Sequence, residues 1–249
     1  AQLRDPRCKY DADTIAAALH GHYRDEHLLA LDHALSLYDT YQGHVEDCDR
    51  RIEALLAELT IDPTPEQGLP KTAKRDGNKN RLNFDARQSL YSLVGVDLTA
   101  IDGLGPHAAL RLVAECGTDM SRWPSAKHFT SWLSLAPGSN ISGGKVLSAR
   151  TRRTNNRAGA LLRLVAVNVG RTQTALGAFY RRLSGRVGKA TAITATARKI
   201  ALLFYNTLRY GWAYVDPGVA YYEARYQQRV LSSLERRAKQ LGYRLEPTT

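Results

Sequence analysis

The chain has 249 residues, 43% apolar and 24% charged, a balance that supports a buried core and excludes a low-complexity polar tail. Its net charge is +11, and the charge is unevenly spread. Residues 1–67 carry 6 Lys/Arg against 14 Asp/Glu, a net of −8, whereas 68–249 carry 29 against 10, a net of +19. The basic part has the electrostatic footprint of a nucleic-acid binder; a solvated basic surface without a specific partner is the bland alternative. The sequence shows no signal-peptide pattern and no apolar run of the roughly 18 residues a membrane span needs, so neither a leader nor a membrane partner is expected from these residues. Cys8, Cys48 and Cys116 are odd in number and widely spaced, with no CxxC, which fits reduced thiols in a cytoplasm.

Residues 1–24 are mixed. The first residue is Ala1 rather than Met, and AQLRDPRCKYDAD reads as interior sequence, so the chain is expected to be the C-terminal part of something longer. His20 and His22 lack a ligand partner at metal spacing and read as a surface turn. Residues 25–59 predict one long helix. Leu28, Leu31, Leu35, Tyr38, Gln42, Val45, Asp49, Ile52, Leu56 and Leu59 alternate in spacings of three and four, a heptad seam that suits a coiled-coil dimer or a helical hairpin. Residues 61–83, with prolines, glycines and a basic cluster, read as a linker. The expected division is therefore 1–60 acidic and helical, 61–83 linker, 84–249 basic and helical.

A short helix is expected over 85–94. Within 98–117, Ile101, Gly103, Leu104 and Gly105 precede Pro106 and an apolar helical pattern. This is like a helix-hairpin-helix element, whose glycines give backbone amides to a DNA phosphate; a plain helix–helix turn is the alternative. Trp123, Phe129, Trp132 and Leu133 read as the core of a small helix. Helices or helix pairs are expected over 157–184, 189–214 and 219–241, with Pro217 and Gly218 as a break. No alternating strand pattern stands out beyond a short hairpin around 139–149, so the fold class is mainly α.

The stretch 137–163 contains Ser142, Gly143, Gly144 and Lys145, then Arg150, Arg152, Arg153, Arg157 and Arg163, with no acidic residue. Paired glycines leave backbone amides uncovered, and amides beside arginines suit a phosphate. The same Ser-Gly-Gly is also an ordinary turn sequence.

In four ordered segments, EHLLALDHALSLYDTYQGHVEDCDRRI, GVDLTAIDGLGPHAALRLVAECG, FTSWLSLAPGSNISGGK and RRTNNRAGALLRLVA, the chain resembles the C-terminal half of the insertion-sequence transposases of the 110/116/902 group. These are bridge-RNA-guided bacterial DNA recombinases. The resemblance implies DNA and a guide RNA as partners, homo-oligomers joined by coiled coils, and a transposase domain whose serine forms a phosphoserine link to DNA. That serine falls on Ser142. It also implies an N-terminal RuvC-like domain whose carboxylates bind Mg2+, with composite sites shared between protomers. This sequence contains no such domain, so no cofactor is expected from the residues present, and the chain alone is expected not to recombine DNA.

A serine hydroxyl needs activation. No His or carboxylate lies near Ser142 in sequence, and His107 and His128 serve only if the fold brings them close. Lys145, Arg150, Arg152 and Arg153 can stabilise charge on phosphoryl oxygens. Ser139 and Ser148 are the neighbouring alternatives. Tyr180, Tyr205 and Tyr210 would suit a tyrosine recombinase but lack its Arg and His-x-x-Arg setting. Two other functions compete: a non-catalytic DNA- or RNA-binding protein or remnant, and a helix-hairpin-helix glycosylase, which the scattered cysteines and few acids after Asp119 disfavour.

Overall fold

The computed structural model describes residues 4–5, 7–21, 23–60, 69, 82–148 and 150–246, with only the backbone of Asn140 and Val146. His22 and nearly all of the linker fall outside the described residues. The fold is mainly α-helical, with one two-stranded hairpin, as the periodicity predicts. Contacts divide the chain into two units, Ala1–Arg51 and Ile52–Thr249.

The first unit holds α1 (Ala12–Ala18) and most of α2 (Asp25–Leu59). The short α1 lacks a sequence-level period and is recognisable only by its cap: the Asp11 side chain accepts from the Thr14 amide. No residue of α1 is buried. The α2 helix runs 35 residues without proline, about 50 Å at 1.5 Å per residue. Its seam residues Leu28, Leu31, Leu35, Tyr38 and Val45 are between 43% and 59% exposed, an apolar stripe left open within this unit among the described residues.

The second unit begins with the end of α2, where Ile52 and Leu56 join its core. Next come α3 (Ala86–Val94), α4 (Pro106–Cys116), α5 (Ala126–Trp132), β1 (Asn140–Ser142), β2 (Lys145–Ser148), α6 (Arg157–Val169), α7 (Ala175–Val187), α8 (Lys189–Tyr210) and α9 (Gly218–Gln240). Side-chain caps set the starts: Asp85 accepts from Gln88, Asn156 from Gly159 and Thr174 from Gly177. Left-handed glycines, Gly95 and Gly211, end α3 and α8.

The centre of this unit is α8, which packs against α5, α6 and α7, while α9 lies on α7. Its inward stripe is Ala192, Thr196, Ala197, Ile200, Ala201 and Phe204, all fully buried. The alanines let neighbouring helices approach, and Phe204 fills the space they leave. Phe129 stacks on Phe204 with centroids 6.2 Å apart, and Trp123 meets Phe129 edge-on at 4.9 Å. Tyr205, also buried, donates its hydroxyl to the Trp123 carbonyl at 2.8 Å. Each such aromatic or leucine contributes about 1.5–3 kcal/mol by burial. A polar tie fixes the entry to α4. Arg87 reaches Asp97 Oδ2 at 2.5 Å, and the Thr99 hydroxyl donates to Asp97 Oδ1 at 2.6 Å.

Candidate nucleic-acid interface

The segment 137–151 forms a hairpin that stands out from the core. Its base is held by a bridge between Pro137 and Thr151 and by the Gly138 amide donating to the Arg150 carbonyl at 3.0 Å. Strands β1 and β2 pair antiparallel, Ser142 with Lys145 and Ile141 with Val146. The register then shifts so that Asn140 faces Ser148, leaving Leu147 as a bulge residue. The two residues between the strands are Gly143 (φ 55°) and Gly144 (φ 74°). Two positive φ values in a two-residue loop are what a type I′ hairpin turn demands, and glycine supplies them without strain. The glycine pair therefore has a turn to make. Neither has any atom within 4 Å of where a Cβ would stand, so the same turn also presents bare backbone to solvent.

This register puts Ser142 directly opposite Lys145. Cross-strand partners carry their side chains on one face, with Cβ atoms about 5 Å apart. Ser142 is exposed, and among the described residues its hydroxyl has no hydrogen-bond partner. Ser148 differs, because its Oγ accepts from the Arg150 amide at 3.4 Å. Ser139 is exposed. The histidines are placed elsewhere: His128 Nδ1 shares a 2.8 Å hydrogen bond with Ser125 Oγ, and His107 stands exposed in the first turn of α4. The tyrosines are engaged in packing. Tyr205 is buried with its hydroxyl spent, Tyr210 lies against Trp212 at 5.1 Å, and the Tyr180 ring occupies the space beside Gly170.

The arginines divide into two sets. Arg150, Arg152 and Arg153 are exposed and, among the described residues, form no carboxylate ion pair. Their positive charge is uncompensated and available. Arg157 pairs loosely with Glu115 at 3.6 Å, a contact of little energetic weight at such exposure. Arg163 is half-buried and donates to the Ser134 carbonyl at 3.0 Å, so it holds α6 to the turn after α5. Ser134 sits there at φ 54°, a conformation serine seldom adopts, and the Arg163 contact helps keep it.

In the glycine turn before α4, a three-residue 3-10 helix, Leu98–Ala100, precedes the turn. Gly103 has φ 84°, and a Cβ there would lie 2.4 Å from Val169 Cγ2 and 2.9 Å from Val165 Cγ1. Gly103 is thus required by close packing on α6. Gly105 has open space around it and caps α4 without a side chain, with Pro106 next.

One grouping was not foreseen from sequence. A groove of about 1030 Å³ runs from Pro137, Arg150 and Thr151 at the hairpin base to Thr191, Thr194 and Arg198 on α8. These α8 residues lie at helical spacing, on the side away from the buried alanine stripe. Arg198 Nε is shielded from solvent and has no hydrogen-bond partner among the described residues. The signal in the sequence is a Thr/Ala stripe ending in Arg198 and Lys199, but nothing there says that it faces Arg150.

Among the described residues no group of three or more His, Cys, Asp or Glu can hold a metal ion, and no helix is long and apolar enough to cross a membrane. The three cysteines are free thiols. Residues 95–181, from the turn after α3 into α7, match the family model described as Transposase IS116/IS110/IS902 family. No curated protein and no solved structure matches the chain.

Proposed function

We propose, from the premise that residues 95–181 form a domain of the Transposase IS116/IS110/IS902 family and so belong to DNA transposition, that Ser142 is the nucleophile of DNA strand cleavage. The observation that carries this reading is the hairpin tip: an exposed hydroxyl with no internal partner, a lysine directly across the strand pair, and bare glycine backbone beside it. Ser142 Oγ attacks phosphorus and gives up its proton. The bond from phosphorus to one sugar oxygen breaks, and that oxygen leaves carrying a proton. The phosphodiester is conserved as a phosphoserine ester. Lys145 stabilises the phosphoryl oxygens across the turn, and Arg150, Arg152 and Arg153 hold the backbone. Positive potential so placed gives most to the transition state, where charge on those oxygens is greatest.

Gly105, together with the free amides at the start of α4, is a second phosphate contact, with Gly103 keeping that turn close to α6. The described residues offer no magnesium site, and no step above passes through one. A RuvC-like domain, in the same protein or supplied separately, brings the metal; a bridge RNA guides the choice of DNA. The α2 seam joins two copies of the chain, and charged residues at Leu31 and Leu35 shift sedimentation toward the monomer.

The deciding experiment traps a covalent protein–DNA adduct after the chain is joined to a RuvC-like domain from a complete relative, then identifies the attached residue by mass spectrometry. An adduct on Ser142 that is lost in Ser142→Ala supports the assignment. An adduct on Ser139 or Tyr180, or normal yield from Ser142→Ala, discards it. No adduct from any version leaves a non-catalytic nucleic-acid-binding protein.

A further inference from the structure

A second cavity lies on the far side of Lys199, between α7, α8 and α9, and no part of the reaction above uses it. Its volume is about 540 Å³, within the roughly 300–1,000 Å³ range of small-ligand pockets. The floor is apolar, from Leu176, Leu202 and Leu203. The walls are Tyr214, Tyr221 and Tyr222, and the rim carries Lys199, Arg225 and Arg229.

Two features set this cavity apart from a packing defect. First, it gathers three cations, of which Lys199 also lies over the Phe179 ring at 4.2 Å. Among the described residues none of Lys199, Arg225 and Arg229 has a carboxylate ion pair. Of the nearby acids, Glu223 pairs with Arg182 at 4.0 Å, while Asp216 and Asp102 sit behind the Tyr214 wall, accepting from the Ala175 amide at 3.0 Å and from the Tyr214 hydroxyl at 3.2 Å. Burial first, then the Arg229 and Arg225 charges, hold the Lys199 ammonium below the usual lysine range. Three cations on the lining of one cavity suit an anion. Second, two of the three aromatic walls, Tyr214 and Tyr222, are fixed. The Tyr214 hydroxyl is tethered to Asp102. Tyr222 meets Phe179 edge-on at 6.3 Å and lies under Arg182, which stacks on Tyr226 at 3.7 Å. Tyr221 is 53% exposed at the mouth. Aromatic walls with a cationic rim match a planar base joined to a phosphate.

We propose that this cavity receives one unpaired nucleotide of a nucleic-acid strand, its base against Tyr221 and Tyr222 and its phosphates on Arg225 and Arg229. The inference rests on the nucleic-acid reading of this domain but on neither Ser142 nor the hairpin. A duplex cannot use the site without flipping a base out. The groove beyond Lys199, which leads to Arg150, then gives the strand a continuous basic path.

The test is fluorescence anisotropy on the full chain with a fluorescein-labelled oligothymidylate, the matching oligouridylate, and a duplex of equal length. Arg225→Gln with Arg229→Gln is expected to weaken single-strand binding about tenfold and lower the log–log salt slope by about 1.4, two phosphates at roughly 0.7 each. Tyr221→Ala is expected to cost about tenfold on single strands and less than about twofold on the duplex, with Tyr221→Phe close to wild type, because stacking needs only the ring. Equal loss on duplex and single strands from Tyr221→Ala, no loss from either change, or competition by polyglutamate as effective as by oligothymidylate would overturn the site. Photocrosslinking of an iodouracil-containing oligonucleotide to the unmodified chain avoids any folding question. Adducts on Tyr214, Tyr221 or Tyr222 support the cavity, and adducts confined to 137–153 overturn it. Loss of duplex binding from Arg152→Ala with Arg153→Ala, with single-strand binding kept, separates the hairpin from this site.

Discussion

The helical core and the hairpin 137–151 obey opposite rules. Phe129, Leu162 and Phe204 are fully buried, and only the edge of the cluster, at Trp132, opens to solvent. At the hairpin tip Ile141 is 63% and Leu147 70% exposed, and the geometry comes from the turn, the strand pairing and the bulge rather than from packing. The core gives stability without offering chemistry; the tip offers a hydroxyl and charges while contributing little to stability. Where two regions share so few contacts, changes in one should barely register in the other, and that separation can be tested.

The largest effect is expected from Phe204→Ala. It leaves a cavity among Phe129, Tyr205 and α6, and should lower unfolding free energy by about 3–5 kcal/mol in a denaturant titration. A loss below about 1 kcal/mol would mean that the core is not centred on α8. Next is the charge on the hairpin. Replacing Arg150, Arg152 and Arg153 by Ala should flatten the log–log salt dependence of duplex binding by about 2.7, three contacts at roughly 0.9 each, while the unfolding midpoint stays put. A shifted midpoint would show that the hairpin and core are coupled after all.

The tie at Asp97 sharpens the comparison from the core side. Burial alone would raise its pKa, but hydrogen bonds from Arg87 and Thr99 and the Arg87 charge outweigh this and hold it below the usual carboxylate range. A carboxyl depressed on folding adds stability above its unfolded pKa of about 3.9, and that stability is lost as pH falls through the folded value. Asp97→Asn should therefore cost about 2 kcal/mol at neutral pH and flatten the acid limb of a stability–pH curve. An unchanged limb would assign acid sensitivity to other carboxyls. Smallest of all, Ser142→Ala should alter stability by less than about 0.5 kcal/mol, since its hydroxyl bonds to nothing within the described residues. Thiol labelling offers a parallel check. Burial pushes the Cys116 thiol up to about 12, while Cys8 and Cys48 are exposed, so two thiols should react in the native state and the third only on unfolding.

Much of the scaffold was legible because its signals are local. The proline-free heptad run over α2 and the Pro217–Gly218 break each act within a turn of chain, whereas the left-handed Gly211 ends α8 at Tyr210, short of the expected 214. The hairpin was legible for the same reason, since Gly143 and Gly144 can serve one tight turn. The short α1 escaped notice because seven residues are too few to show a period. Charge was harder to sort. Arg150 and Arg163 look alike in a list of basic residues, but α6 turns Arg163 back onto the Ser134 carbonyl and leaves Arg150 in the open. The groove pairing Arg150 with Arg198, and the three-cation cavity beyond it, join residues far apart in the chain, and no local pattern carries that information.

The bulge at Leu147 has a consequence for how this segment can change length. Ser142 pairs with Lys145 and Ile141 with Val146 on one side of it, and Asn140 with Ser148 on the other. Deleting Leu147 would bring Ser148 next to Val146 and leave every one of those partnerships intact. The hairpin would keep its pairing and lose only the extra twist that a bulge imposes. A single-codon deletion here would therefore re-aim Ser142 without unmaking the turn that carries it, so reach and direction at the tip can drift independently of the fold.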